Sequence, residues 1–243
     1  MIPKIIHYVW VGGKDKPEDV KKCIATWKKH CEGYEIKEWN ESNFDINSHP
    51  FVKAAYEQKK WAFVSDYIRA YAVYTEGGIY MDTDVLVLKS LDGLLNNKAF
   101  VGFEDKDLPF SAVFGAEKNH PFVKKIMDSY EDKEISFLPK DANTFQVKKI
   151  LVEEYQCKLG NVEQDLKDGI HVYKNQLLCK PSLQSITIHV FTGSWLDKKR
   201  KCISKMDHKF RMKLTNHCMV LLYLPFKLLI TIIKWLFSFG KTK

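Results

Sequence analysis

The sequence predicts an α/β fold: one domain on a sheet of mixed strand direction, followed by a basic tail. Three observations predict it. Short runs rich in Ile, Val, Tyr and Phe alternate with stretches of helical periodicity through the first third of the chain and mix less regularly later. Of the 243 residues 45% are hydrophobic, with 15 Phe, 11 Tyr and 6 Trp, enough for a packed core and too many for a disordered chain. The net charge of +8 is uneven: residues 198–243 hold 12 Lys and Arg against Asp207 alone, and the preceding 197 residues are slightly acidic. The boundary is therefore drawn at 197/198, with a globular domain over 1–197 and a tail over 198–243.

The elements follow in order. Lys4 to Val11 reads as a buried strand that stops at Gly12-Gly13, and a helix opens at Pro17 and runs to Cys31 with Val20, Ile24 and Trp27 on one face. Tyr34 to Trp39 is a second strand. Two helices follow Pro50, breaking near Lys59-Lys60 and ending before Gly77-Gly78. Ile79 to Leu88 is expected to be one strand, with further strands at Ala99 to Phe103, Ser111 to Gly115, Ile170 to Tyr173 and Ile186 to Phe191. Helices are expected at Pro121 to Tyr130 and Thr144 to Tyr155.

Several function classes are disfavoured. The basic excess lies wholly in the tail, so the body is no nucleic-acid binder, and the aromatic residues after 218 sit in an apolar stretch rather than among exposed basic groups. The six cysteines form no C-x-x-C pair and no zinc-finger spacing, which suits reduced thiols in a reducing compartment. MIPKIIHYVWVGG has no small-residue cleavage site and is a poor secretory signal.

Within EGGIYMDTDV, Asp82 and Asp84 are two residues apart. On one strand they would share a face, and two carboxylates so placed call for a cation such as Mg²⁺ or Mn²⁺. Asp66 and Arg69 lie three apart on the preceding helix; read alone they are a surface ion pair of about 0 to 1 kcal/mol. His189, at a strand end, read alone is a satisfied structural histidine.

The block A-x-x-S-D-x-x-R followed by E-G-G-I-Y-x-D-x-D, from Ala62 to Val85, resembles the sugar-binding region of glycosyltransferase family 32, which includes capsular polysaccharide and mannosyltransferase-like enzymes and is related to the clostridial glucosylating toxins. IHYVWVGG and HVFTGSW are similar to the opening and closing motifs of those enzymes. The resemblance implies a GT-A fold, Rossmann-like with a mixed sheet, and a retaining transfer from a nucleotide-sugar, most often a UDP-sugar, with Mn²⁺ or Mg²⁺.

Carried over by position, Trp10 stacks on the base and the Val9 backbone contacts it. Asp66 and Arg69 hold donor-sugar hydroxyls, with Arg69 also near phosphate, and Tyr80 shares the face of Asp82. Asp82 contacts ribose and the metal, Asp84 binds the metal, His189 completes its shell, and Ser194 and Trp195 close over the diphosphate. Asp82, Asp84 and Arg69 form the implied catalytic set. Ser111-Ala112 and Asn143-Thr144-Phe145 depart from the family's Asn and Thr-Gly-Pro in regions that shape the acceptor side, where Glu104 and Asp105 are further candidates.

Two other classes compete with this reading. Phosphohydrolases with an aspartate nucleophile also place D-x-D at a strand end, but near the chain start, and they leave Trp10 and Arg69 unexplained. A non-catalytic, membrane-bound, sugar-nucleotide-binding relative is the other. The tail joins the basic run 198–213 to an apolar stretch with one polar stripe at Lys227, Thr231, Lys234, Ser238 and Lys241. That pattern favours a basic amphipathic helix lying in an anionic membrane surface over a spanning helix, with a helix docked on the core as third reading. The expected setting is the cytoplasmic face of a membrane, with a saccharide acceptor, lipid-linked, of surface polysaccharide synthesis.

Overall fold

The computed structural model describes residues 1–131, 136–137, 142–192, 208–225 and 228. β1 (Ile5–Val9) lies parallel to β2 (Glu35–Trp39), and α1 (Glu18–His30) is their crossover. α1 buries Val20, Cys23, Thr26 and Trp27, one stripe at helical spacing.

α2 (Pro50–Glu57) and α4 (Pro121–Asp128) open on the same pentapeptide, His-Pro-Phe-Val-Lys, at 49–53 and 120–124. In each, the His Nδ1 accepts the N–H of the Phe two residues on at 3.2 Å, and the Pro occupies a first-turn position whose N–H would have no helical partner. Between them, α3 (Trp61–Glu76) ends at Gly77, and β3 (Gly78–Met81) begins at once. Gly78 sits at φ +108°, where a Cβ would lie 2.8 Å from the Ile5 carbonyl oxygen, so β3 can approach β1 only with glycine there. His7 pins the same joint: its Nδ1 accepts from Trp39 Nε1 at 3.0 Å, and its Nε2 lies 2.7 Å from the Gly77 carbonyl. Burial lowers its pKa, so this histidine is neutral and structural.

The remaining strands are β4 (Val85–Val87), β5 (Ala99–Gly102), β6 (Val113–Ala116), β7 (Gln164–Leu166), β8 (Ile170–Tyr173) and β9 (Thr187–His189), with helices α5 (Asn143–Glu153) and α6 (Asn175–Leu178). The main sheet has the order β2-β1-β3-β6-β5-β8-β7, and β4 pairs with β9 in a separate two-stranded sheet. β1–β2, β1–β3 and β5–β8 are parallel; β3–β6, β5–β6 and β7–β8 are antiparallel. The expected mixed α/β sheet is present. One face packs on α2 to α5 through Ile68, Phe114 and Phe122, and the other on α1 and α6 through Trp27, Met81 and Leu178.

One expected element is corrected. Ile79 to Leu88 is not a single strand: the chain leaves the main sheet after Met81, turns at Asp82-Thr83-Asp84, and enters the second sheet as β4. The last main-sheet bond runs from Asp82 N–H to the Ala112 carbonyl at 2.9 Å, and Val85 N–H then bonds back to the Asp82 carbonyl at 3.1 Å, closing the turn. α1 receives β4 on the far side, where Trp27 Nε1 donates to the Val85 carbonyl at 2.7 Å and Val87 N–H to Thr26 Oγ1 at 2.9 Å. The sequence reading also lacked β7 and α6, both too short to show periodicity.

The described part of the basic tail does not stand apart from the body. Residues 208–211 and 217–225 are helical, and Leu214, Val220 and Tyr223 share a core with Leu86 and Leu88 after β3 and with Ile188 and Val190 at β9. Among the described residues no helix is long and apolar enough to cross a membrane. Most of the apolar stretch with its polar stripe lies outside the described residues.

Candidate active site

The turn between β3 and β4 is the floor of a cavity of about 320 Å³, a size that suits a small-molecule ligand. Trp10 and Val9 line it from the end of β1, Asp66 and Arg69 from α3, and Tyr80 from β3. Asp82 and Asp84 come from the turn itself, Glu104 from the end of β5, and His189 from β9. Residues read from three separated stretches of sequence thus meet at one place. Ser194 and Trp195 lie outside the described residues.

Arg69 organises the α3 side. Its Nη2 lies 3.0 Å from Asp66 Oδ1 and 3.3 Å from Asp82 Oδ1, and it donates to Ser65 Oγ at 2.8 Å while Nε donates to the Ser65 carbonyl at 3.1 Å. The guanidinium also packs over the Tyr80 ring, 4.7 Å from its centroid. Asp66 and Arg69 are each only 7% exposed, so the surface ion pair expected from sequence alone is a buried one. Burial opposes the charge on Arg69, but Asp82, Tyr80 and Asp66 hold its pKa above the ordinary value. Tyr80 Oη donates to Asp82 Oδ1 at 2.9 Å, and burial beside Asp82 keeps that phenol protonated despite Arg69.

Asp84 is held from the other side. Thr192 donates to its Oδ2 from both the backbone N–H, at 2.8 Å, and Oγ1, at 2.9 Å. His189 Nε2 faces its Oδ1 at 3.2 Å. Thr192 reaches the carboxylate because Phe191 takes a left-handed backbone, φ +59°, which turns the chain after β9 and stacks the Phe191 ring on His189 at 3.8 Å between centroids. Arg211 braces that corner: Nη1 donates to the His189 carbonyl at 2.9 Å, and the guanidinium lies over Phe191. Burial works against the charge on Asp84, yet His189 and the two Thr192 bonds hold its carboxyl well below the usual carboxylate range. Burial likewise opposes a charged His189, and Asp84 outweighs it, raising the imidazole well above its ordinary value.

Asp82, Asp84 and His189 each offer one ligand atom, all within 4.8 Å of one another. Two carboxylates and an imidazole suit Mn²⁺ or Mg²⁺, and the residues fit such an ion: among the described residues the paired charge of Asp82 and Asp84 is otherwise met by Arg69 and a protonated His189. The shared direction of the two carboxylates comes from the turn and not from strand alternation.

On the remaining walls, Glu104 lines the cavity and burial raises its pKa, partly offset by His189. Asp105, its neighbour, is exposed and paired with Lys180 at 3.1 Å. Trp10 is half-buried, with Nε1 donating to the Lys14 carbonyl at 2.6 Å and Lys16 5.8 Å from the ring. Ser111 and Asn143, at the positions that depart from the resembled pattern, both line the cavity and are buried, and among the described residues Ser111 Oγ and Asn143 Nδ2 have no hydrogen-bond partner. Sequence reasoning missed Ser65 and Thr192. Ser65 stands four residues before Arg69 on α3, a spacing that could have found it, whereas Thr192 gives no signal beyond its place in HVFTGSW.

Residues 17–101 match the model of the glycosyltransferase sugar-binding region containing a DXD motif. Inositol phosphoceramide mannosyltransferase 3 of Schizosaccharomyces pombe is 28% identical over 134 residues, 52% of this chain and 36% of that protein. An uncharacterized glycosyltransferase of Acanthamoeba polyphaga mimivirus is 29% identical over 131 residues, 50% of this chain and 52% of that protein. The chain thus spans about a third to a half of the length of these two relatives. Among solved structures, the PaToxG glycosyltransferase is similar with a TM-score of 0.48 at 20% identity, over 63% of this chain and 69% of that one. Asp66, Arg69, Asp82 and Asp84 fall inside the matched stretch; Glu104, His189 and Thr192 fall beyond it.

Proposed function

We propose, from the match of residues 17–101 to the glycosyltransferase sugar-binding region containing a DXD motif, that the chain is a GT-A glycosyltransferase. It moves a sugar from a nucleotide-sugar donor, with retention at the anomeric carbon, to a saccharide acceptor. The observation that carries this reading is the convergence of Asp82, Asp84 and His189 within 4.8 Å beside the buried Arg69, in a cavity that Trp10 also lines.

Each residue has a task that its chemistry suits. Asp82, Asp84 and His189 would hold a Mn²⁺ or Mg²⁺, which would supply positive charge beside the leaving diphosphate. Arg69 presents a planar fork, already oriented by Asp66, Asp82 and Ser65, that can bridge phosphate and sugar hydroxyls where an ammonium could not. Trp10 offers a ring face to the base, and the Val9 backbone lies beside it. Asp66 and Tyr80 hold Arg69 and Asp82 in place. Ser194 and Trp195, two and three residues after Thr192, would close over the diphosphate.

The charge of residues 198–243 supports an anionic membrane surface as a partner and the cytoplasmic face of a membrane as the setting, with a lipid-linked saccharide of surface polysaccharide synthesis as acceptor. Exposed Leu221 and Leu222 on the docked helix suit the same surface.

The testing experiment is donor hydrolysis. Purified protein is given a panel of UDP-sugars and GDP-sugars, the latter because a relative is a mannosyltransferase, with and without Mn²⁺. Release of nucleotide from one donor, dependent on the ion and silenced by EDTA, is expected. No release from any donor, with no nucleotide binding, overturns the reading.

A further inference from the structure

His189 has one ring nitrogen committed and one not. Nε2 faces Asp84 Oδ1 at 3.2 Å, on the side of the two aspartates. Nδ1 is buried and, among the described residues, has no nitrogen or oxygen partner; the ring's other side-chain neighbour is the Cys179 thiol, a weak acceptor. Across from Nδ1 stands the Glu104 carboxylate, with Oε2 at 3.9 Å and its side chain 27% exposed. A neutral imidazole that gives Nε2 to a metal carries its proton on Nδ1, and a buried N–H with no acceptor is costly.

We propose that Glu104 is a positioning residue for the metal site, acting through His189: it accepts the Nδ1–H bond and fixes the ring with Nε2 toward Asp84. This rests on the metal reading above. Closing the gap asks for about 1 Å of side-chain movement, to reach an ordinary N–H···O distance. The backbone already holds the two residues in register, since Cys179 touches both. Its carbonyl accepts His189 N–H at 2.9 Å, and its thiol contacts the Glu104 carbonyl at 3.9 Å. Lys180, the cation nearby, is engaged by Asp105 at 3.1 Å and leaves the Glu104 carboxylate for the histidine. Partners of this kind set the tautomer and orientation of metal-binding histidines, and their loss typically weakens the metal about 10- to 100-fold.

The test is a Mn²⁺ titration by calorimetry on the full chain, with no donor present. Glu104→Gln keeps an acceptor oxygen and should stay within about 3-fold of wild type, while Glu104→Leu should bind about 10- to 100-fold more weakly. In a His189→Ala background, Glu104→Leu should add less than about a 2-fold loss, because the residue acts only through the ring. Should the Leu variant not fold, Glu104→Met, of similar length and tolerant of burial, takes its place. Three results overturn the role: no loss in the apolar variant, equal loss in the Gln and apolar variants, or the same loss when His189 is absent. Wild type that binds no Mn²⁺, or His189→Ala that binds as well as wild type, overturns the metal reading and this role with it. Loss confined to His189→Ala overturns the role of Glu104 alone.

Discussion

Thr192 holds Asp84 from 108 residues further along the chain, giving both its backbone N–H and its hydroxyl to one carboxylate oxygen at 2.8 and 2.9 Å. The Asp-x-Asp turn is therefore shaped by the end of β9 as well as by its own local bonds. Thr192→Val keeps the shape and removes one bond to a charged group. It should cost about 1.5 to 3 kcal/mol of stability at neutral pH, read by urea denaturation. Because the folded pKa of Asp84 is depressed, the stabilisation is present above the ordinary carboxylate value and lost as pH falls through the folded one. The difference between wild type and variant should therefore shrink in acid. A gap that stays constant down to the acid limit would show that the hydroxyl bond does not depend on the Asp84 charge.

Asp84→Asn should abolish metal-dependent turnover, with Asp82→Asn nearly as severe, since each replaces a charged oxygen at one of the three converging ligands by a neutral amide. Calorimetry with Mn²⁺ and the donor-hydrolysis assay check this together. Full activity in either variant, with the fold intact by circular dichroism, removes that aspartate from the site.

Proton release should accompany metal binding. In the metal-free protein His189 is protonated, because the pair with Asp84 raises it against the effect of burial, and a metal must displace that proton. Mn²⁺ affinity should fall about tenfold for each pH unit below the His189 pKa. Titrations in two buffers of different ionisation heat count the protons released; a count of zero rules out His189 as ligand. The sign for stability is opposite to that of Asp84. The contribution of His189 is fully present below its ordinary pKa and lost as pH rises through the raised one.

Arg69→Lys keeps a charge but not the fork that meets Asp66, Asp82 and Ser65 together. Turnover should drop by at least about 100-fold if the planar group stabilises the leaving phosphate. Arg69→Met, which leaves two carboxylates uncompensated in a buried setting, should also cost about 3 to 5 kcal/mol of stability. A Lys variant with wild-type turnover reduces Arg69 to a packing role.

Trp10→Ala should weaken donor binding by about 1 to 3 kcal/mol with little effect on Mn²⁺ affinity, if the ring stacks on the base. Fluorescence titration with the nucleotide alone separates the two. Equal nucleotide affinity in both proteins would place the base elsewhere.

The helices and most of the sheet were legible because their signals are local. Pro50 and Pro121 each open a helix, Gly77 ends one, and Val20, Ile24 and Trp27 recur at helical spacing. The aspartates were legible as a pair but not in their setting. An apolar run through Ile79 and Val87 carries no mark of the change of sheet at Thr83, which is decided by partners far away: Ala112 on one side, Thr26, Trp27 and β9 on the other. Thr192 was hidden for the same reason, since nothing near it in sequence requires it to meet Asp84. The basic run after 198 drew attention to charge, while the apolar residues among it, Leu214, Val220 and Tyr223, were those that pack on the body. A chain cut after Leu196 therefore loses a cover over Leu86 and Ile188, and should melt lower than the full chain by differential scanning calorimetry.

Asp82 follows β3 of the main sheet, whereas Asp84 precedes β4 of the small one and His189 closes its β9. An ion shared by the three would rivet two separately hydrogen-bonded sheets at their common edge. Mechanical continuity then runs from the ion through β9 and Arg211 into the residues that follow 208. Occupancy of the site should therefore be felt far from it, as slower amide exchange in β4, β9 and the helix at 217–225. A surface that grips that helix would pull on the same rivet from its other end.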